Sequence, residues 1–469
     1  MKRSIKDRLR DLTGAGRVVE KTTPAVPATS EPIDQRREPP TGEVTAREDK
    51  QRVLDQLRRM VADRERGVEP PRVDADSTRN LPGEVMETPY GECLAVSRDV
   101  PLHSMHGDIL LGDVLGQPVH SLAELMDEPG LAALDFRDAV MYDTETTGLT
   151  GGTGTYIFLS GCAFIENEIL KVRQYFMRDP REERAMLWAT NRVLAERRWV
   201  VTYNGRTFDM PLLETRYIAT RLQEAAIPTD HFDLLFPARK LLRHRHGSCK
   251  LTHLERNALD FIRHGDIPGD LIPAVYFHFL RTGDTTRLND VILHNQLDLI
   301  SLVALAHHLL LIVNQPETWA GCEESFGLGS EYWRRGMMDR AEPHLERAMH
   351  PSAPARIFEE AAVRRWITAR RRNDFSRGLL LLEDLAFRQG WVKIYALQEL
   401  AKYFEHQAQD YETALDCTER AYRVLAGERI QRPSSVVDFP APDSLLRRRE
   451  RLRGKIHGDN PRHGRENGK

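Results

Sequence analysis

Apolar residues are thinly scattered over roughly the first 85 positions, and no Phe, Tyr, Trp or Cys occurs before Tyr90. Pro, Thr, Arg and Glu fill the stretch instead. Such a segment has too little apolar surface to offset the entropy of ordering it, so residues 1–85 are expected to be a disordered N-terminal segment. Val53, Leu57 and Val61 recur every four residues and allow a short helix over 51–63. Order is expected from about Tyr90. Ala139–Tyr142, Tyr156–Ile165 and Ile169–Met177 then read as strands, 181–197 as a helix, and Trp199–Tyr203 as a buried strand. Residues 210–223 read as a helix and His231–Leu235 as a short strand. Several helical pieces follow, closing with Leu288–Val313, whose apolar residues recur at helical spacing. Three strands, then alternating helices and strands, then a long helix predict an α/β domain over 86–315 with a mixed sheet and flanking helices.

Beyond Gln315 the strand signals stop. Leu328, Gly329, Tyr332, Ala341, Leu345 and Ala348 stand at the relative offsets of a tetratricopeptide (TPR) repeat. Leu400, Ala401, Phe404, Ala414 and Ala421 form a weaker second copy, and 356–388 has room for another helix pair. An all-α TPR-like domain over 316–430 is the expectation, with a plain helical bundle as the alternative. Stacked helix pairs offer a concave surface for a protein partner. From 431 to 469 ten Lys/Arg face five Asp/Glu, which predicts a basic, flexible tail.

Composition narrows the class. The chain has 469 residues, enough for two folded units or more. A net charge of −3 excludes a globally basic nucleic-acid binder, so any such site must be a local patch. The five cysteines are odd in number and never spaced as CxxC, which points to free thiols in a reducing compartment. No apolar stretch of signal-peptide length follows Met1, and no run is read as reaching the roughly 18 apolar residues of a membrane span. A cytoplasmic protein with no membrane contact is the expectation.

Three acidic constellations carry the candidate chemistry. Asp143-Thr144-Glu145 directly follows the strand Ala139–Tyr142, and strand alternation points both carboxylates the same way. Like charges held together call for solvent or a hard divalent cation such as Mg²⁺. Asn204-Gly205-Arg206-Thr207-Phe208-Asp209 follows the next buried strand, with a tight turn at Asn204–Gly205 and Asp209 at the start of a helix. His294 and Asp298 lie four apart on one face of the closing helix. Taken singly, these are an acidic turn, a helix cap and a surface pair.

Taken together, in this order and on these elements, they resemble the Exo I, Exo II and Exo III motifs of DEDD exonucleases. Asp143–Leu149, Asn204–Leu213, Arg263-x-x-Asp266-Ile-Pro-Gly269 and His294–Leu302 are similar, more narrowly, to the bacterial YprB-type RNase H-like family. The resemblance covers roughly residues 86–313 and extends to a helical repeat region behind it. It implies an RNase H-like fold and two-metal phosphodiester hydrolysis, with Asp143, Glu145, Asp209 and Asp298 holding two Mg²⁺ or Mn²⁺ ions. It also implies a 3′–5′ exonuclease acting on a single-stranded end of RNA or DNA. His294 is the candidate general base, although it stands at the spacing that a tyrosine takes in one subclass and not at the spacing of the histidine subclass. Thr144, Asn204 and Phe208 are candidate substrate contacts.

Electrostatics add a flank for a polyanion. Between Arg239 and Arg256 six Lys/Arg, among them Arg243, Arg245 and Lys250, face one acid, Glu255. His244, His246, Cys249 and His253 in the same stretch fit no standard zinc spacing. Gly148–Gly154 lacks the ending of a P-loop and is expected to let substrate approach the backbone. The competing function is a nucleic-acid-binding adaptor with an inactive nuclease fold that recruits a partner through its helices.

Overall fold

The computed structural model describes residues 81–148, 154–222, 226–427 and 439–457. The expectations for residues 1–80, the helix over 51–63 included, and for the glycines at 149–153 lie outside the described residues. The chain divides into two compact units at Leu328/Gly329, beyond the expected break at 315.

In the first unit, β1 (Glu84–Thr88) and β2 (Gly91–Pro101) form a hairpin, followed by the short ribbon β3 (Met105–His106) and β4 (Ile109–Leu110). Helix α1 (His120–Met126) leads to β5 (Ala139–Thr146), β6 (Ile157–Glu166) and β7 (Ile169–Phe176). Next come α2 (Glu183–Leu194), β8 (Trp199–Thr202), α3 (Asp209–Ala219) and β9 (Asp230–Asp233). The unit continues through α4 (Leu235–Leu241), α5 (Arg243–His246), α6 (Leu251–Ala258), α7 (Ile272–Thr282) and the long α8 (Leu288–Asn314). Short α9 (Pro316–Trp319) precedes α10 (Cys322–Arg334), which carries the chain across the unit boundary. The seven-stranded sheet has the order β1-β2-β7-β6-β5-β8-β9, with β5–β8 and β8–β9 parallel and the other pairs antiparallel. This is the expected mixed sheet with flanking helices.

Leu81 is already buried, ahead of the start expected near Tyr90. Strand β1 has the sequence Glu-Val-Met-Glu-Thr and lies at the sheet edge, mostly exposed. An edge strand needs little apolar surface, so it escapes a reading based on hydrophobic runs.

The placement of the site follows from two ladders of unequal length. Ala139–Tyr142 of β5 is fully buried, as an inner strand covered on both faces must be. Its parallel pairing with β8 ends at Met141↔Val201, whereas its antiparallel pairing with β6 runs on through Glu145↔Leu159. Beyond Met141, β5 therefore keeps one open edge, and Asp143 and Glu145 stand there. Under the sheet Phe158 stacks on Tyr276 at 4.1 Å, and the Tyr276 hydroxyl donates to the Met177 carbonyl (3.0 Å). Helix α8 has 27 residues and is apolar enough to cross a membrane by length and composition, contrary to the expectation that no run is. Of its most apolar window 83% is buried inside the protein, so the fold's own core uses that surface.

The second unit is helical. Helix α11 (Met338–Arg347), α12 (Ala355–Arg371), α13 (Phe375–Phe387), α14 (Trp391–His406) and α15 (Tyr411–Gly427) follow one another through short connections. Two glycines permit close helix contacts. A Cβ at Gly329 would stand 2.9 Å from Leu345, and one at Gly378 would stand 2.8 Å from the Trp366 ring. Buried Glu399 accepts from Trp366 Nε1 (3.0 Å) and Arg370 (2.5 Å), which ties α12 to α14. The expected flexible tail is corrected over its described part. Pro442–His457 forms α16, which buries Leu445 and Leu452 and sets Arg448 (2.5 Å), Arg451 (2.8 Å) and Lys455 (3.0 Å) on the fully buried Glu405 of α14. Its leucines recur at helical spacing and its cations have an internal counter-charge, which a charge count cannot reveal.

Candidate active site

The second acidic motif is built on a turn. After β8 the chain reverses at Asn204, whose φ of +68° lies in the left-handed region that Asn tolerates. At Gly205 a Cβ would stand 2.5 Å from Thr202 Oγ1, so no larger residue fits. Buried Asp233, at the end of β9, accepts from the backbone N–H groups of Asn204 (2.7 Å), Arg206 (3.1 Å) and Leu235 (3.0 Å). That carboxylate fixes the turn and with it Asp209 in the first turn of α3. Asp209 then meets β5 across the open edge, where Thr144 Oγ1 donates to its Oδ1 (2.5 Å).

The third motif arrives from α8. Asn295 Nδ2 donates to Asp143 Oδ2 (2.7 Å), and Gln174 Nε2 of β7 donates to Asn295 Oδ1 (2.7 Å). Gln296 Nε2 donates to Gln174 Oε1 (2.8 Å), continuing an amide chain across the sheet. Helix and sheet come this close because Gly161 of β6 has no side chain; a Cβ there would stand 2.2 Å from Asn295 Oδ1. One turn on, Arg263 donates to Asp298 Oδ1. Arg263 also binds Glu255 (Nε to Oε2, 2.7 Å) and Asp266 (Nη1 to Oδ2, 3.2 Å). His294 Nδ1 lies 2.7 Å from Asp266 Oδ1, and its Nε2 lies 3.6 Å from Asp298 Oδ2. Nδ1 also lies 3.4 Å from Arg263 Nη1; in the neutral tautomer that donates from Nδ1 to the Asp266 carboxylate, Nε2 is the acceptor.

Charge has gathered at one end of the sheet. Burial, followed by the nearby Asp298 and Asp209, lifts the Asp143 carboxyl well above the ordinary range. Burial, then Asp143, Asp298 and Asp209, does the same to Glu145. Burial also pushes Asp209 up to about 6 against the opposing hydrogen bond from Thr144. A divalent cation is the simplest charge compensation for such a set. As the side chains stand, no group of three or more His, Cys, Asp or Glu among the described residues is arranged to hold an ion.

Residues 140–310 match the family model of the RNase H superfamily. The chain is also 30% identical over 341 residues, 70% of its own length and 80% of the relative's, to the uncharacterized protein YprB of Bacillus subtilis (strain 168). This chain belongs to the RNase H superfamily. The matched segment begins in β5 and ends in α8, so the elements that carry all four acidic residues lie inside it. A nuclease-type fold is thereby established.

Among the other residues singled out in the sequence, Thr144 serves Asp209 and Asn204 forms the turn. Phe208 is half exposed immediately before Asp209. Arg243, Arg245 and Lys250 are exposed, Arg245 beside Glu324 at 3.3 Å. Tyr203 Oη donates to the Cys249 carbonyl (2.5 Å) and so ties the basic segment to the turn that positions Asp209. Glu255, the lone acid of that segment, points inward to Arg263, which leaves the exposed charge uniformly positive. Sequence reasoning gave no role to Asn295, Gln174, Gly161, Asp233, Glu255, Arg263 or Asp266. Asn295 stood within His294–Leu302, and the last two within Arg263-x-x-Asp266-Ile-Pro-Gly269, motifs already singled out.

Proposed function

We propose that this superfamily member is a divalent-metal-dependent 3′–5′ exonuclease of the DEDD type that hydrolyses phosphodiester bonds in single-stranded nucleic acid. One observation carries the reading. Asp143, Glu145 and Asp209 converge at the open edge of β5, and Asp298 and Asp209 raise the proton affinity of the other two. Asp143, Glu145, Asp209 and Asp298 would hold two Mg²⁺ or Mn²⁺ ions, which supply Lewis-acid stabilisation of charge on the phosphate and on the leaving oxygen. His294, steadied through Nδ1 by Asp266, presents Nε2 to take a proton from the attacking water. The half-exposed ring of Phe208 offers a stacking face for a base. Arg239, Arg243, Arg245, Lys250 and Arg256, all exposed, draw the backbone in. The helical second unit reads as a TPR-like array that binds a protein partner.

A second reading, an inactive adaptor, draws on the engagement of Asp298 by Arg263. One experiment separates the two. Single-stranded RNA and DNA labelled at the 5′ end are incubated with Mg²⁺, Mn²⁺ or EDTA and resolved on gels. Shortening from the 3′ end that needs metal and vanishes in Asp143→Asn is the expected outcome. Binding without cleavage under every metal condition establishes the adaptor instead.

A further inference from the structure

Three residues stand in line across the sheet. The register pairs Asp143 of β5 with Gly161 of β6, and Gly161 with Gln174 of β7. Residues paired across antiparallel strands share a face, and two strand spacings part Asp143 from Gln174 by about 10 Å, beyond direct contact. The missing side chain at Gly161 leaves a gap between them, and Asn295 of α8 fills it. Gln174 is fully buried, and the exonuclease reading gives it no task.

A side-chain amide has a donor end and an acceptor end, and here neighbours without that choice decide which end points where. Gln174 Nε2 donates to the Ile292 carbonyl (2.9 Å), which can only accept, and to Asn295 Oδ1 (2.7 Å). Gln174 Oε1 accepts from Gln296 Nε2 (2.8 Å), and Gln296 Oε1 accepts from the Arg98 guanidinium (3.2 Å), which can only donate. With Oδ1 held by Gln174, Asn295 turns Nδ2 to Asp143, donating to Oδ2 (2.7 Å) and to the backbone carbonyl (3.3 Å). Reversing the Asn295 amide would set a carbonyl oxygen against the carboxylate and leave buried polar groups unpaired, each at the cost of its desolvation. We propose that Gln174 is a positioning residue for Asp143, acting through Asn295: it fixes the polarity of that amide, so that a donor and never an acceptor faces the carboxylate. This inference rests on the hydrolytic reading above and specifies how one carboxylate of that site is held.

The test compares Gln174→Met, Asn295→Ala and the double variant of the full chain in steady-state cleavage of a labelled single strand. Each single variant should lose about 10- to 100-fold in kcat with KM changed by less than about twofold, as a displaced reacting group would produce. The double variant should lose no more than Asn295→Ala alone, because Gln174 has nothing to orient once that amide is gone. Losses that multiply, or a loss confined to KM, overturn the proposal. A second readout needs no cleavage. With asparagine labelled with nitrogen-15 and the protein in EDTA, the Asn295 side-chain amide signal is identified by its absence in Asn295→Ala. Its protons should exchange with D₂O at least about tenfold faster in Gln174→Met than in the wild type. Gln296→Met, which removes the donor to Gln174 Oε1, takes the place of Gln174→Met in both measurements if that variant does not fold. Unchanged exchange overturns the proposal. A wild type that never cleaves removes the hydrolytic reading, and the exchange rates then decide the amide orientation by themselves.

Discussion

Three carboxylates of the site have three different kinds of neighbour: an amide at Asp143, a hydroxyl at Asp209 and a guanidinium at Asp298. These partners orient the oxygens, and only the last cancels charge. Asp143→Asn is therefore expected to abolish hydrolysis, by about 10³-fold or more, while keeping or slightly raising the melting temperature in EDTA, because one repelling charge is gone. Near-normal turnover in that variant would remove Asp143 from the chemistry. His294→Ala should lower the metal-saturated rate by about 10²- to 10⁴-fold, the usual range for a lost general base. If Asp266 acts by orienting that imidazole, Asp266→Ala should be impaired alone but cause no further loss in the His294→Ala background. Additive losses in single-turnover rates would mean that Asp266 works by another route. The elements that bear the four carboxylates were legible in the sequence, Asp143 and Glu145 at the end of a strand, Asp209 at the start of a helix and Asp298 on the long closing helix. Their partners were not, since Asn295 and Arg263 acquire meaning only once α8 lies against the sheet.

At the scale of elements, close approach decides the geometry. Helix α8 reaches Asp143 through the gap at Gly161, where a Cβ would also stand 2.8 Å from Leu299 Cδ1. Gly161→Ala should cost about 1–3 kcal/mol in urea unfolding and lower activity, since the helix must retreat from β6. An unchanged unfolding midpoint would show that the contact is looser than the structure indicates. In the second unit the docking of α16 depends on Glu405. Burial raises its pKa, but the hydrogen bonds from Arg451 and Lys455 outweigh this and hold it at about 2. Glu405→Gln should destabilise that docking by roughly 2–4 kcal/mol and speed hydrogen exchange over Pro442–His457 selectively. Uniform exchange across the unit would argue against a local latch. The inner strands and long helices were foreseeable from periodicity alone. Strand β1 and α16 were not, the one being an exposed edge and the other a charged segment whose counter-charge lies about forty residues away on α14.

For the whole molecule, the collected carboxylates set a pH dependence. Asp209 has a folded-state pKa of about 6, above the ordinary value of 3.8, and Asp143 and Glu145 are raised as well. The folded state thus binds more protons than the unfolded chain. Their stabilising contribution is complete below the ordinary carboxylate pKa and is lost as the pH rises through the folded values. In EDTA, unfolding free energy is expected to fall between pH 5 and 8 by on the order of 2 kcal/mol, with a shallower slope in Asp209→Asn. Saturating Mn²⁺ should flatten the wild-type slope, and a metal-free slope of opposite sign would contradict the assignment. The sequence by itself determined the α/β order of the first unit, the helical second unit and the positions of the acidic motifs, because periodicity and turn chemistry are local. Only the tertiary structure decided that the β5–β8 ladder stops at Met141 and opens an edge, that Gly161 admits α8, and that Arg263 pairs with Asp298 while Asp143 and Asp209 meet only neutral partners. Those outcomes depend on which distant segments meet, and spacing along a chain carries no record of that.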